Sequence, residues 1–245
     1  MMPGPPSSSG KPALRRQLAL DLELAPHFGR DDFLVSPANA VALQMIEAWP
    51  QWPDQLLLLL GPPGAGKSHL AAIWAATGGA ETITGAMLAR ADLSPGDLAA
   101  FAAHPALVVE DAESIGRGEA NLFHLLNLVR EGKTSLLLTA RQRPELWGLA
   151  TADLLSRLRL APAVELGAPD DALLNAVLVK LFCDRQLIVD ATVIDYIALH
   201  IDRSLDMARR IVALLDREAL ARGRKVTRAM ARELLLTFPA QEDDL

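Results

Sequence analysis

The fold of this 245-residue chain is determined by residues 55–70, which read Gln-Leu-Leu-Leu-Leu-Leu-Gly-Pro-Pro-Gly-Ala-Gly-Lys-Ser-His-Leu. It opens with a short continuous apolar run, which is typical of a strand buried on both faces. A glycine-rich turn follows, and the apolar residues after it recur at helical spacing until Gly78 and Gly79 end the pattern. The stretch therefore predicts a strand, a tight loop and a helix in direct succession.

The loop matches the pattern G-x-x-x-x-G-K-[ST] at every position. Glycines let backbone N–H groups turn inward around phosphate oxygens, and the start of the helix adds a positive dipole end. The lysine of this pattern reaches the β- and γ-phosphates, and the next hydroxyl ligates Mg²⁺. A glycine-rich turn without a ligand is the alternative, although such a turn does not require the Lys-Ser pair. The loop predicted to bind phosphate consists of Gly61, Pro62, Pro63, Gly64, Ala65, Gly66, Lys67 and Ser68.

Composition narrows the class of protein. Apolar residues make up 51% of the chain, which is ample for a core, and the net charge is −6. An acidic chain does not gain its affinity mainly from DNA phosphates, so a protein partner is favoured over bare nucleic acid.

The single cysteine, Cys183, suits a reducing cytoplasm, and its helical surroundings predict a buried thiol. We expect neither a membrane span nor a secretory leader, because no apolar segment is long enough.

Polar residues follow two further buried runs. Acids follow residues 107–109, and a threonine follows residues 135–138. In a parallel sheet these strand ends lie beside the bound nucleotide. We predict that Glu110 supports the metal together with Ser68 and that Asp111 activates the attacking water; acids that merely face solvent are the alternative. Thr139 either holds a water near the γ-phosphate or is an ordinary strand-end residue, and both interpretations stay open.

The order of patterns predicts the fold class. Strand patterns separated by helical patterns, without hairpin dipeptides, indicate an α/β fold with a doubly wound parallel sheet. One of these helices is predicted to begin at Ser36, as N-cap, and to end near Trp49. Beyond Pro169, helical patterns opened by N-cap residues predict a small helical domain, with starts at Asp170, Asp190, Ser204 and Thr227.

The N-terminal region has a different character. Residues 1–16, rich in proline, glycine and serine, are expected to form a flexible tail. Residues 17–22 carry a leucine at every second position, which predicts an extended segment with the leucines on one side. The pattern alone favours an edge strand over a peptide that docks in a partner's pocket.

Together these residues resemble an AAA+ ATPase of the DnaA initiator group, and within it the short Hda family. The resemblance covers about Gln17 to Leu236 and implies a P-loop AAA+ domain over 23–168 with a helical lid domain over 169–245. It also implies ADP or ATP with Mg²⁺ as cofactors. The matching motifs are Gln17-Leu18-Ala19-Leu20-Asp21-Leu22, Phe33-Leu34-Val35 with Asn39, Gly66-Lys67-Ser68-His69-Leu70, Leu155-Ser156-Arg157-Leu158 and Asp202-Arg203-Ser204-Leu205.

Several residues take roles from this resemblance. Asn39 and His69 join the nucleotide-binding set, and Arg203 becomes the sensor-two arginine of the lid. Arg157 becomes an arginine finger that acts on a neighbour's ATP. The N-terminal segment becomes a docking peptide for the sliding clamp of DNA polymerase III, which overturns the edge-strand preference; its contact residues are Gln17, Leu18, Leu20 and Leu22.

The resemblance implies a function in the bacterial cytoplasm, at the replisome. Docked on the clamp, such a protein stimulates ATP hydrolysis by DnaA and so restrains replication initiation. Glu110 stands where the group usually has Asp, which implies weak or absent ATPase activity of its own. No sequence-specific DNA binding is expected, because no helix-turn-helix module follows the lid. The alternatives are a self-sufficient AAA+ ATPase, such as a helicase loader or remodeller working as a homo-oligomer, and a nucleotide-locked scaffold without catalytic contribution.

Overall fold

The computed structural model describes residues 28–237. The predicted tail, residues 1–16, and the predicted clamp-binding segment, residues 17–22, lie outside the described residues.

A five-stranded parallel sheet forms the centre of the fold. Its strands are β1 (Leu56–Leu60), β2 (Glu81–Thr84), β3 (Ala106–Glu110), β4 (Ser135–Ala140) and β5 (Ala163–Glu165). They lie side by side in the order β2-β3-β4-β1-β5, and every paired strand is parallel to its neighbour. This confirms the predicted α/β fold with a doubly wound parallel sheet.

Ten α-helices surround and follow this sheet within the described residues. They are α1 (Ala40–Glu47), α2 (Lys67–Gly78), α3 (Gly85–Leu88), α4 (Pro95–Ala102), α5 (Glu119–Gly132), α6 (Ala152–Leu160), α7 (Asp171–Asp184), α8 (Ala191–His200), α9 (Leu205–Arg222) and α10 (Arg228–Thr237). None of these helices combines the length and the apolar content that a bilayer crossing requires.

The five leucines of β1 contribute to two hydrophobic cores, one on each face of the sheet. Leu57 and Leu59 pack on one face of the sheet with residues of α1 and α2, such as Trp74. Leu56, Leu58 and Leu60 pack on the other face with residues of α4, α5 and α6. This division follows from the strand itself, since successive side chains point to opposite faces. A continuous apolar run is therefore needed to hold helices on both sides.

Helices α7 to α10 form the helical lid, which has a hydrophobic cluster of its own. All four of its helices begin directly after the predicted N-cap residues, α10 after Thr227, whose Oγ1 accepts from the N–H of Met230 at 3.3 Å. The side chain of Asp170 accepts a hydrogen bond from the N–H of Leu173, and Asp190 and Ser204 cap α8 and α9 in the same way. These caps satisfy N–H groups that have no partner inside the helix.

The helix predicted to begin at Ser36 begins one turn later, at Ala40. The carbonyl of Ser36 accepts from the N–H groups of Asn39 and Ala40, at 3.1 and 2.9 Å, so residues 36–39 form a turn ahead of the helix. The Asn39 amide holds that turn: its Oδ1 accepts from the N–H of Ser36 and its Nδ2 donates to the carbonyl of Leu34, both at 2.9 Å.

The prediction of a buried thiol is also wrong, because Cys183 is exposed. It follows Phe182, which is buried in the lid cluster. Successive helical residues point in directions about 100° apart, so a buried neighbour does not bury the next side chain.

The packing of β1 generates a stability prediction. Leu57→Ala, at a side chain that is 0% exposed, should lower the free energy of unfolding by about 2–5 kcal/mol through lost burial and a residual cavity. Leu160→Ala, at a side chain that is 82% exposed, is the matched control and should change it by less than about 0.5 kcal/mol. Urea unfolding of both variants measures the difference, and equal losses would contradict the packing described.

Candidate functional site

The loop between β1 and α2 lies at the carboxyl edge of the sheet. Its backbone passes through the left-handed region at Gly64 (φ +69°) and Gly66 (φ +106°), and α2 begins at the next residue, Lys67. A Cβ on Gly64 would lie 1.9 Å from the Oγ of Ser204, so only glycine fits between the loop and the lid. The first N–H groups of α2 have no partner within the helix, which makes this helix start an anion-binding position.

Lys67 is buried within the loop. Its Nζ donates to the carbonyls of Gly61, at 2.8 Å, and Pro62, at 3.1 Å. Burial lowers the pKa of Lys67, and the carboxylates of Glu113 and Asp111 oppose that shift. The loop therefore holds its positive group against its own carbonyl oxygens, where an incoming anion can compete for it.

The predicted metal ligands face each other. The Ser68 hydroxyl donates to Oε2 of Glu110 at 3.2 Å. Burial raises the pKa of the Glu110 carboxyl, and the hydrogen bond from Ser68 opposes that shift. A hydroxyl and a carboxylate suit Mg²⁺, which uses one or two protein ligands and completes its shell with phosphate and water. Among residues 28–237, no group of three or more His, Cys, Asp or Glu side chains could hold a metal ion by itself.

The other two predicted catalytic residues stand at neighbouring strand ends. Asp111 follows β3 with a left-handed backbone (φ +48°) and an exposed side chain. Its N–H donates to the Oγ1 of Thr139 at 3.1 Å. The Thr139 hydroxyl, on a residue that is 1% exposed, thus ties β4 to the end of β3. The structure brings both residues to the same edge as Glu110 and the loop.

A cavity of about 430 Å³ lies between the α/β core and the lid, within the size range of small-molecule pockets. The core side provides aromatic rings and Asn39, and the lid side provides apolar residues and arginines. Residues from both sides include Phe28, Phe33, His69, Val177, Leu205 and Arg209.

His69 forms a flat wall of this cavity. Its ring centroid lies 5.2 Å from that of Phe28 and 5.1 Å from that of Phe33, and its Nε2 lies 3.0 Å from the carbonyl oxygen of Gly29. Burial lowers the pKa of His69. Asn39 also lines the cavity, while its amide remains engaged with the backbone of Leu34 and Ser36. Asn39 and His69, which the resemblance adds to the nucleotide-binding set, thus both line this cavity.

The lid arginines that line the cavity are Arg185, Arg209 and Arg210, whereas the resemblance singles out Arg203. Nη2 of Arg203 lies 2.9 Å from Oδ1 of Asp171, on an exposed surface, and Arg203 does not line the cavity. The Arg209 guanidinium lies 5.5 Å from the centroid of the Phe28 ring, and burial lowers its pKa. Helical spacing was the missed signal, since Leu205, Arg209 and Ala213 share one face of α9.

Arg157 lies on α6, and its partners belong to α5 and α6. Nη1 donates to Oδ1 of Asn127 at 2.5 Å, and Nη2 lies 3.2 Å from Oδ2 of Asp153. The guanidinium also stands 4.4 Å from the centroid of the Phe123 ring. None of these partners lines the cavity or belongs to the loop, so the structure does not bring Arg157 together with the other predicted residues. The predicted clamp contacts Gln17, Leu18, Leu20 and Leu22 lie outside the described residues.

The fold is similar to that of solved AAA+ proteins, although the sequence matches no protein-family model and no curated protein. Domain III of the replication initiation protein DnaA from Thermotoga maritima gives a TM-score of 0.75 at 19% identity, over 87% of this chain and 98% of that chain. AMPPCP-bound DnaA from Aquifex aeolicus gives 0.66 at 18% identity, over 81% of this chain and 68% of that one. The FIGL-1 AAA domain in complex with ADP gives 0.65 at 17% identity, over 88% and 85%. These similarities confirm the predicted P-loop AAA+ fold with its helical lid, and at such identities they concern the fold alone.

The burial of His69 generates a pH prediction. NMR titration of its ring should give a pKa below the ordinary 6.5, because burial disfavours the imidazolium form. The folded state then binds this proton more weakly than the unfolded state, so stability present above pH 6.5 is lost as the pH falls below it. His69→Gln should remove the ring signal and reduce that acid-dependent loss. A ring pKa at or above 6.5 would contradict the buried placement.

Proposed function

We propose that this chain binds an adenine nucleotide, ADP or ATP with Mg²⁺, across the loop and the cavity. One observation carries this proposal: the N–H of Leu205, at the start of α9, donates to the carbonyl of Gly64 at 2.8 Å. Leu205 also lines the cavity. The phosphate loop and the cavity are therefore adjacent parts of one surface, as a ligand with a polyanionic end and a planar apolar end requires.

Each end of the site suits one end of the nucleotide. At the loop, the start of α2 and Lys67 supply donors and positive charge for phosphate oxygens. In the cavity, Phe28, Phe33 and His69 supply ring faces for a base, opposite the apolar side chains of the lid. The solved AAA+ structures with AMPPCP and ADP support this assignment.

Mg²⁺ would be held by Ser68 and Glu110 and would neutralise charge on the phosphates. Asp111 would then accept a proton from the attacking water, and Thr139 would orient that water through its hydroxyl. Glu110 stands where the group that this sequence resembles usually has Asp, and the extra methylene of Glu shifts the carboxylate relative to the metal. We therefore infer that hydrolysis by this chain alone is slow.

A direct test is the binding of ADP and a non-hydrolysable ATP analogue to the Lys67→Ala variant. Loss of the charge-assisted contacts to phosphate should weaken binding about 10- to 100-fold. Lys225→Ala, at an exposed lid position, is the matched control and should bind as the wild type does. Calorimetry measures both variants, and equal affinities for wild type and Lys67→Ala would contradict nucleotide binding at the loop.

We further propose that the nucleotide-bound chain acts as a replication adaptor in the cytoplasm. Residues 17–22 dock on the sliding clamp of DNA polymerase III, and Arg157 acts on ATP bound to a DnaA partner. What supports this role is that Arg157 takes no part in the chain's own cavity: its guanidinium pairs with Asn127 and Asp153 and lies over the Phe123 ring, and to act on a partner's ATP it would exchange these contacts for phosphate. An arginine supplied to another subunit's triphosphate accelerates hydrolysis by about 10³–10⁵-fold. The effect on the cell would be restrained initiation of replication.

The adaptor proposal is tested by phosphate release from DnaA in the presence of clamp loaded on DNA. Arg157→Ala should abolish stimulation while nucleotide binding stays intact. Arg159→Ala removes an arginine two residues away that pairs with Glu145, and it should stimulate normally. A Gln17→Ala, Leu18→Ala double variant should lose stimulation because it no longer docks on the clamp.

The same assay separates the alternatives. Steady ATP turnover by the chain without clamp or DnaA would favour a self-sufficient ATPase acting as a homo-oligomer. Clamp binding without any stimulation of DnaA would favour a nucleotide-locked scaffold. Full stimulation by Arg157→Ala would remove Arg157 from the mechanism.

A further inference from the structure

Two charged residues beside the loop have no part in the proposed function so far. Glu113 lies in the 3₁₀ helix Ala112–Gly118 that follows β3, and Arg141 directly follows β4. The backbone N–H of Arg141 donates to Oε1 of Glu113 at 3.1 Å, and its Nε lies 3.5 Å from the same oxygen. One carboxylate oxygen therefore receives both contacts from Arg141.

This ion pair is only partly satisfied on either side. The second carboxylate oxygen of Glu113, Oε2, is buried and accepts no hydrogen bond within residues 28–237. The Arg141 side chain is 51% exposed, and a guanidinium carries five donors. A buried polar atom without a partner is unfavourable, so native structures seldom keep one without a reason. Glu113 and Arg141 both retain hydrogen-bonding groups that the ion pair does not use. Arg141 can therefore leave Glu113 for another acceptor.

The pair stands at the phosphate end of the proposed nucleotide site. β4 lies between β3 and β1, and the carbonyl of Ala140 accepts from the N–H of Gly61, the first residue of the loop, at 3.1 Å. Burial lowers the pKa of Lys67; among the nearby charges Glu113 opposes that shift most, and Arg141 reinforces it. Glu113 and Arg141 therefore act electrostatically on the loop lysine.

We infer that Arg141 and Glu113 set the preference of the site between a nucleoside triphosphate and a nucleoside diphosphate. This inference rests on the proposed nucleotide binding. The additional charge of a terminal phosphate attracts the Arg141 guanidinium away from Glu113, because charge-assisted hydrogen bonds to phosphate are strong. With a diphosphate the ion pair stays intact. Arg141 thus favours the triphosphate, and Glu113 opposes it by repulsion and by competing for the guanidinium.

The test is calorimetric titration of the full chain with ADP and with AMPPCP, each with Mg²⁺. Arg141→Ala should weaken AMPPCP binding about tenfold or more, because a charge-assisted contact is lost, and should change ADP binding less than about threefold. Glu113→Gln removes the opposing charge and should strengthen AMPPCP binding about threefold while ADP binding stays the same. The two variants must therefore move the ADP-to-AMPPCP affinity ratio in opposite directions.

Arg143→Ala is the matched control. Arg143 comes from the same loop after β4, but its Nη2 lies 2.6 Å from Oε1 of Glu165, and it is not among the principal charges acting on Lys67. It should leave the affinity ratio unchanged. Thermal unfolding shows whether each variant folds. If Arg141→Ala does not fold, Arg141→Gln, which keeps most of the side-chain volume, replaces it in the test.

The outcomes separate this inference from the function on which it rests. An unchanged ratio in the folded Arg141 variant, or an equal loss for both nucleotides, would overturn the inference while nucleotide binding stands. Wild-type protein that binds neither nucleotide would overturn both. Opposite shifts of the ratio in the two variants, with the Arg143 control unchanged, would establish it.

Discussion

The hydrogen bond from the Leu205 N–H to the Gly64 carbonyl joins the two parts of this molecule where they must meet. It requires Gly64 to lack a side chain, since Ser204 occupies the space that a Cβ would need. A second bridge, from Nζ of Lys180 on α7 to Oδ1 of Asp32 at 2.8 Å, also joins lid and core at the cavity. Lid and loop are thus held by polar contacts, while each part has a hydrophobic core of its own. Such an arrangement lets a ligand change the fit between the parts without disturbing either core.

The two ends of the site differ in polarity. At the loop, Lys67 contacts carbonyl oxygens of its own loop, and Glu110 accepts a hydrogen bond from the Ser68 hydroxyl. Glu113 keeps one buried oxygen without a partner among the described residues. In the cavity, ring faces and aliphatic lid residues dominate. A buried polar atom left without any hydrogen-bond partner costs about 1–3 kcal/mol. The polar end is therefore the part whose free energy falls most when phosphate and metal bind.

The elements of the fold follow from local patterns, and for that reason the sequence predicts them well. The leucines of β1 demand burial on both faces, and Asp170, Asp190 and Ser204 cap lid helices where their residue types indicate. The features that local sequence patterns do not predict depend on tertiary contacts. Cys183 is exposed although its neighbour Phe182 is buried. Arg209 lines the cavity because α9 turns one face toward it. Arg203 precedes that helix and pairs with Asp171. The contact between Glu113 and Arg141 joins residues from different strand ends, which no sequence spacing reveals.

If one nucleotide bridges loop and lid, amide hydrogen exchange detects the bridge directly. Addition of ADP and Mg²⁺ to the full chain should slow exchange in three separate segments together: the loop at residues 61–68, the first turns of α9, and residues 28–39 along the aromatic wall. The strand interiors should stay as protected as before. Slower exchange in the loop with no change in α9, or no change in any of the three segments, would contradict a site shared between the loop and the lid.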